Sequence, residues 1–164
     1  MIKYISSFVI IFLLLIAGKG FTATFHVSNT PELRRALMDA SGNGKDDTIL
    51  LNAGIYKTTD DGTGTFKFID IEPYNLVIKS KEGLNRKDVI LDGGHVDRVF
   101  TFRNPQCPAC TITLERLSII NGRSGGLESD YNINILSSSI INNYGGKGIS
   151  SRGGITATSS IIIE

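Results

Sequence analysis

The tripeptide Ser-Ile-Ile begins at Ser118, at Ser139 and at Ser160, a spacing of 21 residues both times. An apolar pair travels with it. Ile112 and Leu114 return at the same spacing as Ile133 and Ile135, then one position late as Ile155 and Ala157, the extra residue being absorbed by a turn. A unit of about twenty residues is too small to bury an apolar face alone, so repetition at this period means a solenoid in which each unit is completed by the next. Upstream, Ile90–Gly93 (ILDG) matches Ile119–Gly122 (IING) at a longer interval. The excess over the period equals the length of the segment RNPQCPAC (103–110), which is loop-forming by composition, and deleting it restores the period.

Leucine-rich repeats share this period but need a regular Leu lattice with Asn or Cys at a set place, and Leu is scarce here. TILL (48–51), FKFIDI (66–71), NLVIKS (75–80), DVIL (88–91) and RVFTF (98–102) carry strand patterning bounded by Gly, Asn, Asp and Pro. No helical period follows Ala40, which excludes a βαβ sheet. The expected fold is all-β, a right-handed parallel β-helix with a short N-terminal capping α-helix, its coils rising by the strand spacing of about 4.8 Å so that equivalent residues stack in columns. Alternation then points Ile112, Leu114, Leu117 and Ile119 inward and Thr113, Ser118 and Ile120 outward. Asp92, Asn121 and Asn142 share a bend column suited to left-handed backbone. The isoleucine columns 119/140/161 and 120/141/162 follow, the second either an outward apolar stripe or turned inward by the bend.

Residues 1–23, one Lys followed by an apolar run and then small or polar residues, have the layout of a secretory signal peptide. Removing them takes away Lys3 and Lys19 and leaves 15 basic against 16 acidic side chains, so no polyanion-binding surface is implied and nucleic acid is excluded as a partner. Residues 24–47 hold an N-terminal strand and the capping helix. In that helix Thr30 is the expected N-cap, Pro31 the first helical residue, and Leu33, Ala36, Leu37 and Ala40 one apolar stripe. Residues 48–164 are the coils, the last ending in mid-strand at SIIIE. Terminal repeats normally differ from internal ones, so a truncation, or a partner covering the last coil, is expected there. Cys107 and Cys110 suit a structural staple in an oxidising compartment; a redox CxxC or half a zinc site are the alternatives.

The helix, then DDTILLNAGIY (46–56), VILDGG (89–94), LERLSIING (114–122) and SSSIINN (137–143), resembles the right-handed parallel β-helix family, the pectate-lyase-like superfamily, over nearly the whole mature chain. That family includes pectate lyases, polygalacturonases, phage tailspikes, autotransported adhesins and polymorphic outer-membrane proteins. The paired glycines at 125–126, 145–146 and 153–154 with Asn142-Asn143 resemble the last group, whose expected Phe is missing. The resemblance implies a helix such as 31–40 closing the open end of the core.

For function, the resemblance offers two classes. Lyases of this fold need carboxylates on adjacent coils to hold Ca²⁺ and a basic residue to take the proton; hydrolases need paired carboxylates. From Thr111 onward the carboxylates are Glu115, Glu128, Asp130 and Glu164, and none recurs at the period. The densest polar cluster, DGGHVDR, holds Asp92, His95, Asp97 and Arg98, and a polar turn explains it as well as catalysis does. Asp70 and Lys79 are weaker candidates. No catalytic residue, cofactor-binding residue or metal ligand is assigned, and Ca²⁺ enters only under the lyase alternative. The expectation is a secreted or cell-surface protein, outer-membrane association included, acting as a non-catalytic adhesin-like or glycan-binding module. Its partners would be a polysaccharide or cell-surface glycan, and further coils or a capping partner at the C-terminal end. The alternative is a polysaccharide lyase or glycoside hydrolase on an acidic polysaccharide, with catalytic coils beyond this chain. A purely structural spacer is the third reading.

Overall fold

The computed structural model describes residues 22–163, and these form three parallel β-sheets and one short helix. The signal peptide expected at 1–23 lies almost wholly outside the described residues. Among the described residues, no helix is long and apolar enough to cross a membrane.

Helix α1 runs Thr30–Ala40. Its N-cap is Asn29 rather than Thr30: the Asn29 side chain accepts from the Glu32 amide at 2.9 Å, and the Glu32 carboxylate reaches back to the Ser28 amide at 2.7 Å. This reciprocal pair satisfies two donors that no helical carbonyl can reach. Thr30 is buried instead, its hydroxyl donating to Asp60 and accepting from the Lys57 amide. The stripe Leu33, Ala36, Leu37 and Ala40 is buried as the spacing requires, against β1 (Ala23–Val27), β2 (Asp47–Leu51), β3 (Gly54–Lys57) and β4 (Phe66–Ile69).

The remaining strands are β5 (Leu76–Ser80), β6 (Val89–Asp92), β7 (Phe100–Arg103), β8 (Thr111–Glu115), β9 (Ser118–Ile120), β10 (Leu127–Ser129), β11 (Asn132–Leu136), β12 (Ser139–Ile141), β13 (Ile149–Ser151), β14 (Ile155–Thr158) and β15 (Ile161–Ile162). The first sheet is ordered β1-β2-β5-β8-β11-β14, the second β3-β6-β9-β12-β15 and the third β4-β7-β10-β13. From β2 to β12 each strand pairs in parallel with the strand three places on, so the chain visits the three sheets in rotation. This order fits the expected parallel β-helix. One passage through the three sheets is a round.

The strands alternate, and their inner side chains stack. Ile49, Ile78, Leu114 and Ile135 lie in register in the first sheet, and Tyr56, Leu91, Ile119 and Ile140 in the second. In the third, the Phe66 and Phe100 rings pack at 5.5 Å. All ten of these side chains are buried. Each contributes about 1.5–3 kcal/mol relative to an exposed position, which is where the cohesion between rounds comes from.

Three register expectations need correction. Leu91, not Ile90, lies opposite Ile119, so the interval between these rounds is shorter by one than the sequence match implies. What remains above the period is divided. Phe102 and Ile112 are ten positions apart where their register partners Ser129 and Ile133 are four apart, and one more residue enters between β6 and β7. In the last round the extra residue persists into the second sheet: Ile161 lies opposite Ser139, and Ile162 over Ile140. Ile119 and Ile140 stack as expected, but Ile161 does not join them. Asn121 and Asn142 hold the bend with φ of 57° and 56°, yet Asp92 lies opposite Ile120 and meets Asn121 only diagonally, through a 3.0 Å hydrogen bond. On the outer side Ile120 and Ile141 are in register and half-buried, not turned into the core. Ile155, Ile161 and Ile162 on the final strands are 47 %, 42 % and 38 % exposed.

Glycines let the corners stack. Gly125 (φ +94°) and Gly145 (φ +73°) adopt backbone that L side chains rarely enter, and a Cβ there would lie 2.3 Å from the Lys147 carbonyl and 2.1 Å from that of Arg123. Beside them Asn143 is buried, its amide donating to the Ile119 and Ile141 carbonyls while its oxygen accepts from the Gly122 amide.

Candidate functional site

Side chains that alternate away from the core on the first sheet form the floor of a groove of about 880 Å³. Thr24 and His26 come from β1, Thr48 and Leu50 from β2, Lys79 from β5 and Glu115 from β8. His26, Leu50, Lys79 and Glu115 are neighbours in one register column. One wall is the segment Lys81–Leu84, where the chain leaves β5 on a detour to β6 instead of turning directly into the second sheet. Leu84 packs partly buried on the core and its amide donates to the Lys81 carbonyl at 3.2 Å, which keeps the wall upright.

The far end of the groove is built around Ser80, which is fully buried. Its hydroxyl donates to the Leu84 carbonyl and accepts from Arg116 Nε at 3.1 Å, and its carbonyl accepts from Arg116 Nη2 at 3.2 Å. Arg116 Nη1 pairs with the Glu115 carboxylate. The side chains of Thr24, His26, Thr48, Lys79, Lys81 and Glu82 have no hydrogen-bond or ion-pair partner among the described residues. The groove thus offers hydroxyls, two ammonium groups and an anchored guanidinium, with Leu50 and Leu84 as apolar ground.

One column of this face extends past the groove. Thr24, Thr48, Val77, Thr113, Asn134 and Thr156 lie in register across all six strands of the sheet. Its polar members likewise have no side-chain partner among the described residues. At the strand spacing the column is about 24 Å long.

The polar cluster of the sequence is dispersed. Asp92 accepts from the Gly94 amide and from Asn121. His95 Nδ1 shares a 2.8 Å hydrogen bond with the Tyr144 hydroxyl, the two rings stacked at 5.6 Å. Asp97 accepts from the Arg98 amide, while the Arg98 side chain pairs with Glu128 on the outer face of the third sheet. There Arg103 bridges Glu128 (2.7 Å) and Asp130 (3.2 Å), and Arg152 adds to Asp130 (3.4 Å). The hydrogen bond from Arg103 holds the Glu128 carboxyl below its ordinary range. Asp92, His95, Asp97 and Arg98 hold turns and faces together and do not converge. Asp70 is buried at the corner between the third and first sheets, its carboxyl pushed up by burial and receiving the Glu72 amide. Of the sequence candidates, Lys79 alone enters the groove.

Glu115, Arg116, Lys81, Glu82 and His26 went unassigned because their meeting depends on register. The intervals that bring β2, β5 and β8 together are both longer than the repeat and unequal to each other, so neither can be read from the period of the later rounds. Alternation in TFH, TIL and VIK was the available signal; it gives the face without the neighbours. Cys107 and Cys110 form a disulfide in the loop between β7 and β8. Among the described residues, no group of three or more His, Cys, Asp or Glu could hold a metal ion. Comparison with protein-family models, curated proteins and solved structures finds no match to the chain.

Proposed function

We propose that the three sheets form a right-handed parallel β-helix of the pectate-lyase-like kind, closed at one end by α1, and that the chain is a secreted or cell-surface module that binds a glycan without turning it over. The observation that carries this reading is the register column running out of the groove across six strands, in which every side chain but Val77 is polar and without a partner among the described residues. An extended polymer laid across the strands meets a hydroxyl or amide at every step but the one at Val77, as repeat surfaces offer. Hydroxyls and amides spaced along such a line suit the hydroxyls of a polysaccharide. The disulfide fits an oxidising compartment, in keeping with secretion. Packing of α1 against β1–β4 supports the cap, and the exposed isoleucines of β14 and β15 give further coils or a covering partner an apolar surface to bury.

The alternative, a polysaccharide lyase or hydrolase, is favoured by one observation: Lys79, Glu82, Glu115 and Arg116 line one groove, so a base and carboxylates share a ligand surface. One assay separates the two. A glycan array with the purified protein, followed by a search for unsaturated uronides and new reducing ends with and without Ca²⁺, is expected to show retention and no product. Product release would establish the enzyme; absence of retention on every glycan would remove the binding reading.

A further inference from the structure

We infer that the Ser80–Arg116 end of the groove is an anion subsite, so that the glycan bound there carries a carboxylate or sulfate group; this rests on the glycan reading above. The first observation is conformational. Arg116 sits at the corner between the first and second sheets with φ +56°, in the left-handed region that a bulky side chain adopts at a cost. The two later rounds hold the same corner with Ser137 (φ +50°) and Ser159 (φ +52°). Serine therefore suffices for the turn, and the long side chain at Arg116 is present for another reason.

The second observation is what that side chain does. Its guanidinium folds back over the preceding round, where the fully buried Ser80 holds Nε and Nη2, while the adjacent Glu115 of its own round holds Nη1. A guanidinium has five N–H donors, so Nη1 and Nη2 each keep one hydrogen for a ligand. The group is anchored before anything binds, which lowers the ordering cost of recognition. The third observation is charge. Glu115 is taken up by Arg116, which leaves Lys79 and Lys81 against Glu82, and both ammonium groups lack a partner among the described residues. A fixed fork flanked by two unpaired cations is what a planar carboxylate or a sulfate ester would meet.

The test uses the whole chain on an array of oligosaccharides in matched pairs, uronate-bearing or sulfated against the neutral counterpart, with inorganic sulfate as a separate arm. Acidic members are expected to be retained and their neutral counterparts not. Lys79→Gln with Lys81→Gln should weaken retention about tenfold, while Lys67→Gln on the third sheet leaves it unchanged. Arg116→Ser should abolish the acidic preference; the turn itself accepts serine, as the next two rounds show, and any fall in Tm reports only the hydrogen bonds lost at buried Ser80. A purely structural Arg116 would lower Tm and leave the acidic preference of the folded protein intact, which would overturn the subsite. Equal retention of neutral and acidic members, with both lysine substitutions silent, would overturn the anion subsite and leave glycan binding standing. Retention of nothing on the array would overturn both readings. Inorganic sulfate that saturates the site as tightly as the best oligosaccharide would show a free-anion site and overturn the glycan-borne group.

Discussion

Asn143 bonds across two rounds at once, and its loss shows what a buried amide contributes. Removing it leaves the Ile119 and Ile141 carbonyls and the Gly122 amide without their partner, so Asn143→Ala is expected to cost about 1–3 kcal/mol in chemical unfolding. Leu114, stacked between Ile78 and Ile135, is the apolar counterpart: Leu114→Ala should cost about 2–5 kcal/mol by the same measurement. Both residues sit in the repeat, and alternation alone placed Leu114 inward. Asn143 was not singled out. In the Asn-Asn pair, Asn142 takes the left-handed backbone and Asn143 sends its side chain to the neighbouring round, and one-dimensional patterning does not distinguish them.

At the scale of elements, α1 is held by its cap at Asn29 and by its apolar stripe, and the stripe is what ties it to the sheets. Leu37→Asp places a charge where the helix meets them, and limited proteolysis should then cut within β1–β4 before the rest of the chain opens. The helix was legible because its period of about 3.6 and its Pro near the first turn are local signals. The cap shifted by one residue because Asn29 and Thr30 both suit the position, and tertiary contacts with Lys57 and Asp60 drew Thr30 inward. The strands of the later rounds were legible for a different reason. Between β8 and β14 the rounds hold the repeat to within a single residue and carry no insertion, so stacking and sequence period coincide. In the earlier rounds the detours after β5 and β7 break that coincidence. The groove lies there, since the wall that makes it a groove is itself one of those insertions.

For the molecule as a whole, the ionisable groups pull stability in opposite directions with pH. Asp47 and Asp70 have carboxyls raised by burial, so their contribution is fully present below the unfolded carboxylate range and is lost as pH rises through their raised folded values. Asp61 is lowered to about 2 by hydrogen bonds from Thr63 and then Arg34, and Glu128 is lowered by Arg103; their contribution is present above the unfolded range and lost as pH falls. Asp70→Asn keeps an acceptor for the Glu72 amide without a buried charge. It should therefore raise Tm at pH 7 and change it little at pH 4, as followed by circular dichroism.

The rotation of the chain through three sheets, with like positions stacked at the strand spacing, is the claim on which the groove, the outer column and the anion subsite all stand. Spin labels on Thr24→Cys and Thr156→Cys test it directly, since the two sites lie near opposite ends of the sequence but five parallel strand steps apart on one face. Pulsed electron resonance should give a single narrow distribution centred at about 24 Å. A broad distribution, or one centred beyond about 35 Å, would mean that the rounds do not stack in this order.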